Sequence, residues 1–100
     1  MLDAAHAIQR FTVGTIRSSL NDEILFWALV AQVAMLGEAA SRVSAERRTR
    51  LSEVPWGEIV GMRNQLIHGY WSIDPDELWR TIERDVPSLI DALEAGSGEA

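Results

Sequence analysis

The chain has 100 residues, 47% of them apolar, and a formal net charge of −6 from 15 acidic and 9 basic side chains. That is room for one domain with a real core, and it is too apolar for a disordered polymer. Cysteine is absent and only His6 and His68 offer imidazole, which excludes disulfide frameworks, thiolate zinc sites and cysteine nucleophiles; no metal and no cofactor is expected.

Ile8, Thr12, Ile16 and Leu20 recur at every fourth residue with Phe11 beside them, and predict a first helix over about residues 2–19. The start, Met1-Leu-Asp-Ala-Ala-His6, has no basic run followed by an apolar one and does not read as a secretory signal. Asn21-Asp22 reads as a break and N-cap, and a second helix is expected over about residues 22–45. From Ile24 to Leu36 that helix is apolar on every side apart from Gln32. The run falls short of the roughly 20 residues that cross a bilayer, so a cytoplasmic protein without membrane contact is expected. A helix apolar all round is buried in a larger bundle or across a subunit interface, and in a chain this short the interface is the preferred reading.

Ser44 to Val54 is polar and charged and reads as a connection. Pro55 suits the first position of a third helix, where its missing N–H costs nothing, and Ile59, Met62 and Leu66 form that helix's apolar stripe. In Asp74-Pro-Asp-Glu77, Asp74 would cap a fourth helix, Pro75 would be its first residue and Glu77 the reciprocal partner of a capping box. Trp79, Ile82, Val86, Leu89 and Leu93 continue an apolar face, and Pro87 should kink or split the helix near Asp85. Residues 1–95 form the domain and 96–100, small and polar, a tail. No segment alternates with period two, so the fold class is all-α, an up-and-down bundle of about four helices.

The acidic balance argues at first against a nucleic-acid partner. Its distribution weakens that argument. Residues 1–73 carry equal numbers of acids and arginines, and the whole excess of −6 lies in residues 74–100. Any binding argument is therefore local.

The stretch Gly61-Met-Arg-Asn-Gln-Leu-Ile-His-Gly-Tyr-Trp71 gathers an arginine, an amide, an imidazole and a phenol. Arginine offers a planar fork to phosphate oxygens, and histidine titrates near neutrality and can move a proton. Asparagine can orient a group and tyrosine can donate a hydrogen bond or stack on a base. On an ideal helix Arg63 and Tyr70 lie roughly 20° apart, whereas Arg63 and His68 lie about 140° apart. Asn64 and His68 share a face. Either a long arginine wraps the gap, or Gly69 ends the helix and redirects Tyr70, or the working site is composite across a two-fold axis. The third reading is favoured, because the second helix already asks for a partner. Taken singly, the same residues are bland: His68 a helix-end cap, Arg63 a surface ion pair, Tyr70 an interface aromatic.

Arg63-Asn-Gln-Leu-Ile-His68-Gly-Tyr70 resembles the signature of HEPN-domain ribonucleases, and the form Arg-Asn-x-x-x-His-x-Tyr is similar to their HepT toxin branch. Leu36-Gly-Glu-Ala39 looks like that branch's Ile-Gly-Glu-Ala element. Pro55-Trp56 with Ile59, Gly61 and Met62 looks like its lead-in to the motif, and Trp79 with Asp85-Val-Pro87 like its last helix. The resemblance covers about residues 2–94, and the first helix begins several residues later than is usual there. It implies a homodimeric, metal-independent endoribonuclease, the toxin of a two-gene toxin–antitoxin module, with tRNA as the expected target. It also implies a cognate minimal nucleotidyltransferase antitoxin that neutralises the toxin by transferring AMP to the motif tyrosine, here Tyr70. RNA carries its own nucleophile, the 2′-hydroxyl, so a base for that proton and a cation for the phosphorane suffice. His68 is expected as acid/base, Arg63 as phosphate stabiliser, Asn64 as a positioning group and Tyr70 as an RNA contact. The competing readings are a catalytically silent HEPN module that binds nucleotide or RNA or partners a nucleotidyltransferase, and a plain helical dimerisation domain.

Arg42, Arg47, Arg48 and Arg50 lie within nine residues, opposed only by Glu46. They read either as an RNA-backbone patch, with Arg47 and Arg48 as contacts, or as a solvated linker. Glu38 is expected to pair with an arginine near the dimer axis or to cap a polar interior network.

Overall fold

The computed structural model describes residues 1–69 and 73–97. Among these the chain forms helices α1 (Leu2–Phe11), α2 (Glu23–Ser41), α3 (Ala45–Arg50), α4 (Trp56–Gly69), α5 (Pro75–Arg80) and α6 (Val86–Ser97). A 3₁₀ turn, Arg17–Asn21, leads into α2, and a π-helical segment, Thr81–Asp85, joins α5 to α6. The described residues include no strand, and the all-α expectation holds.

The first helix is shorter than its apolar period predicts. Thr12 turns its hydroxyl back to the Ile8 carbonyl at 2.8 Å, and Gly14 takes φ +73°, a left-handed conformation that glycine adopts without a Cβ penalty and that a continuing helix forbids. The chain then re-enters through the 3₁₀ turn. Ile8 and Leu20 are buried as the period requires, but Phe11 and Ile16 are exposed.

α2 starts where the sequence places it: the Asp22 carboxylate accepts the Leu25 amide at 3.1 Å, satisfying one of the orphan donors of the first turn. It ends at Ser41 rather than near residue 45. The supposed connection after it contains a further helix, because Ser44 caps α3 by accepting the Arg47 amide and the basic residues Arg47, Arg48 and Arg50 sit at its negative end. α4 begins at Trp56, one residue beyond Pro55, whose carbonyl accepts the Ile59 amide. Asp74 caps α5, accepting the Asp76 amide at 2.9 Å, with Pro75 at the first helical position as expected.

The last helix is interrupted near Asp85, as expected from Pro87. The turn before it, Thr81–Asp85, widens to π geometry, which relieves the clash that a proline ring makes with the preceding turn of a regular helix. The last helical rod is thus two α-helices, α5 and α6, joined by that turn.

α2 is the central helix. It packs against α4 on one side and α1 on the other, and α6 closes over α1. The fully buried side chains come from every layer: Ile8 of α1, Leu29, Val33 and Leu36 of α2, Ile59 of α4, Leu78, Val86 and Leu89 of the last rod. Each such side chain contributes about 1.5–3 kcal/mol by leaving water. By length and composition alone α2 would also suffice to cross a membrane, but here it is the core helix of a globular bundle and carries Glu38 in its last two turns.

Within one chain α2 is buried on one side only. Leu29, Val30, Val33, Leu36 and Ala40 face the core, whereas Ile24, Trp27 and Met35 are exposed, at 85%, 44% and 59%, and so is Ala31. These four positions, spaced three and four apart, form one stripe along the helix.

Candidate active site

α2 and α4 cross in unusually close contact, and Gly37 is the reason. A Cβ at Gly37 would overlap Arg63 Cβ, and would stand 2.9 Å from Arg63 Cγ and 3.2 Å from the Ile59 carbonyl. With no side chain there, Arg63 lies directly on the α2 backbone and its guanidinium reaches the next residue along. Arg63 Nη2 donates to Glu38 Oε2 at 2.6 Å and Nε donates to the same oxygen at 3.1 Å. Nη1 donates to Asn64 Oδ1 at 3.1 Å. The other oxygen of Glu38 accepts from Arg42 Nη2 at 3.1 Å, one helical turn on. The Glu38 carboxyl is held below the usual carboxylate range, first by its hydrogen bonds to Arg63, then by the charge of that guanidinium, with Arg42 adding to both.

Glu38 is the site residue whose role the sequence left open. It pairs with two arginines of its own chain. Arg42 joins the site with it, and the signal that could have found it is the i,i+4 spacing from Glu38.

Arg63, at 25% side-chain exposure, edges a hollow of about 500 Å³ that it shares with Glu38, Arg42, Met35 and Ile67. A second, apolar hollow of about 330 Å³ adjoins it, lined by Trp27, Val30, Leu66 and Ile67, with Ala34 and Ile67 common to both. The exposed apolar face of α2 and α4 thus runs without interruption up to the Arg63 guanidinium.

His68 is exposed on the last turn of α4. It opens on a different hollow, of about 420 Å³, with Gln65, Asp74 and Glu77. Among the described lining residues this hollow shares none with that of Arg63. The roughly 140° separation on α4 therefore survives folding: within one chain the structure brings Arg63 and Asn64 together and leaves His68 on another side of the helix. Asn64 turns its amide oxygen to Arg63. Tyr70, the remaining member of the constellation, lies outside the described residues.

The arginine-rich stretch does not form one surface patch. Arg42 is exposed beside Arg63. Arg48 turns inward: its Nη2 donates to the Ala40 carbonyl at 2.9 Å, its guanidinium carbon lies 5.5 Å from the Trp56 ring centroid, and its Nε is buried. Trp56 in turn donates from Nε1 to the Leu51 carbonyl at 3.0 Å. Arg50 faces Glu46 at 3.9 Å, and Arg47 borders a separate hollow with Met1, Asp3 and Trp56. Among the described residues no group of three or more histidine or acidic side chains is placed to hold a metal ion.

The profile of the family described as Ribonuclease HepT-like matches residues 1–95. A protein of Methanocaldococcus jannaschii named "Putative RNase" is 32% identical over 90 residues, 89% of this chain and 83% of its own length. A protein of the same description from Caldanaerobacter subterraneus subsp. tengcongensis is 39% identical over 70 residues, 70% of this chain and 62% of its own length. A "Probable ribonuclease HepT" of Thermococcus cleftensis is 34% identical over 70 residues, 70% of this chain and 64% of its own length. In the last two comparisons the match spans less than two thirds of the relative. No solved structure matches the chain significantly.

Proposed function

We propose that this chain, which belongs to the HepT-like ribonuclease family, cuts RNA with its own side chains and works as the toxin of a toxin–antitoxin pair. The observation that carries the reading is the Arg63 guanidinium, fixed by Glu38 and Asn64 at the edge of an open hollow. Arginine has five N–H donors. Among the described residues three are engaged, which leaves two for the oxygens of one phosphate.

In the proposed reaction the 2′-hydroxyl of the RNA attacks the adjacent phosphorus and the bond to the 5′-oxygen of the next nucleotide breaks. His68 takes the proton from the attacking hydroxyl or returns one to the leaving oxygen. Arg63 stabilises the charge that gathers on the phosphorane. Asn64 positions the guanidinium, Tyr70 contacts the RNA, and Arg42 and Arg47 supply cations for its backbone, tRNA being the expected target.

The reading includes a second copy of the chain. A face carrying exposed Ile24, Trp27, Met35 and Ile67 is the kind of surface that a two-fold partner covers. Because this face ends at Arg63, a dimer built on it sets two copies of the motif side by side. A composite site of that kind removes the difficulty that Arg63 and His68 open on different sides of one α4.

Neutralisation by a nucleotidyltransferase, through AMP on Tyr70, belongs to the same proposal. Its support is the motif spacing, which sets the phenol two residues after His68. A nucleotide there adds negative charge and bulk where RNA would bind. Co-expression with such a partner, followed by intact-mass measurement and an RNA cleavage assay, tests it. The expected result is AMP on Tyr70 with loss of cleavage; an unmodified chain that stays active beside the partner contradicts it.

A further inference from the structure

The geometry points to Glu38 as the positioning residue of the reaction, a carboxylate that holds the Arg63 guanidinium in its working orientation and moderates its charge. The inference rests on the proposed role of Arg63 and goes beyond it. Arg63 stands on α4 with four side-chain torsions, and a side chain of this kind carries about 2 kcal/mol of rotamer entropy when free. A cation that wanders loses most of its value to a transition state, because stabilisation depends on donors fixed before the charge develops.

Glu38 supplies that fixation from a different helix. Two donors of Arg63 converge on one of its oxygens, which sets the plane of the guanidinium as well as its position. Arg42 occupies the other oxygen, so the carboxylate itself is anchored. Asn64 holds the third nitrogen. The two remaining N–H groups lie on Nη1 and Nη2, the pair that makes a bidentate contact with phosphate. Gly37 is part of the same device, since only a residue without a side chain lets Arg63 pass to Glu38.

The carboxylate also has an electrostatic effect. With Arg63 and Arg42 both on Glu38, the trio carries a net charge of +1 rather than +2. RNA binding is thereby weakened in the ground state while the orientation needed in the transition state is kept, and binding energy of the second kind raises turnover.

The test compares purified wild-type protein with Glu38→Ala, Glu38→Gln and Arg63→Ala. Two readouts are taken: steady-state RNA cleavage, and exchange protection of the Arg63 Nε–H signal by NMR. Glu38→Ala is expected to lower kcat about 100-fold, the scale of a misplaced catalytic group, with a much smaller change in KM, and to strip the Arg63 signal of its protection. Glu38→Gln keeps an oxygen acceptor and loses the charge. It is expected to keep the signal protected, to restore kcat to within about tenfold of wild type and to lower KM for RNA. Should Glu38→Ala fail to fold, Glu38→Asp replaces it, with the carboxylate drawn back by one methylene and the same losses expected. Wild-type kcat in Glu38→Ala, an Arg63 signal unchanged by it, or Glu38→Gln as damaged as Glu38→Ala overturns the positioning role alone. Wild-type cleavage by Arg63→Ala overturns the role of Arg63, and the role of Glu38 falls with it.

Discussion

Arg63 of α4 and Glu38 of α2 are 25 positions apart in the chain and meet at 2.6 Å, with a second hydrogen bond at 3.1 Å onto the same oxygen. The contact depends on the backbone of Gly37. Gly37→Ala gains about 1 kcal/mol of helix propensity but drives a methyl group into Arg63 Cβ. Overpacking of this kind costs about 1–3 kcal/mol, so the overlap wins and the helices must separate. The variant is expected to unfold several degrees below wild type, at about 4–8 °C per kcal/mol for a domain of this size. Thermal unfolding by circular dichroism measures it, and it should also lose RNA cleavage if the close crossing sets Arg63 in place.

Asp85 gives a pH dependence with a definite sign. Partial burial first, and the negative charge of Glu58 second, push its carboxyl above the usual range against the pull of Arg80 and Arg84. A raised carboxyl pKa means that the folded state binds the proton more tightly than the unfolded one, so stability falls as pH rises through the interval between the two values. Asp85→Asn is therefore expected to raise the unfolding temperature at pH 7. The gain should shrink toward zero as the pH drops below the ordinary aspartate range. Glu38 has the opposite sign: its depressed pKa contributes stability at neutral pH that is lost as pH falls through its folded value.

Two arginines six residues apart should separate cleanly. Arg48 spans the Ala40 carbonyl and the Trp56 ring, and Arg48→Ala is expected to cost about 1–3 kcal/mol of stability through the lost hydrogen bond and cation–π contact. Arg42 is exposed beside Arg63, and Arg42→Ala is expected to leave the unfolding temperature nearly unchanged. It should weaken RNA binding and reduce the dependence of log K on log salt by about one. Unfolding curves and binding isotherms at several salt concentrations check both.

The apolar face predicts an assembly. Met35→Asp or Ile67→Asp places a charge among exposed apolar side chains and leaves the core untouched, since both residues are more than half exposed. Wild type is expected at twice the 11.1 kDa chain mass by light scattering or sedimentation, and either variant at the chain mass. Cleavage should fall in parallel, because a composite site needs both copies.

Much of this architecture is legible in the sequence, for local reasons. Asp22 and Asp74 are short acceptors ahead of apolar runs, and each caps the helix that it precedes. What stays hidden is set by backbone geometry or by contacts between distant segments. The period of Ile8, Thr12, Ile16 and Leu20 carries no warning that Gly14 takes a left-handed conformation, and Pro87 announces an interruption near Asp85 but not its π geometry. The site is legible in the same measure. Arg63, Asn64 and His68 stand out by residue type and spacing; that Glu38 pairs with an arginine is among the expectations, but which arginine stays hidden, because Arg63 comes from another helix. The inward turn of Arg48 is equally silent, since its acceptor is a backbone carbonyl.

The central claim is that Arg63 and His68 carry RNA cleavage. The most direct measurement is the cleavage rate of purified Arg63→Ala and His68→Ala on an unmodified RNA, each shown to fold by its unfolding curve. The account predicts that each variant loses about 100-fold or more of the wild-type rate, the scale of losing an acid/base or an oxyanion donor. A folded variant of either kind that cleaves RNA at the wild-type rate would contradict it.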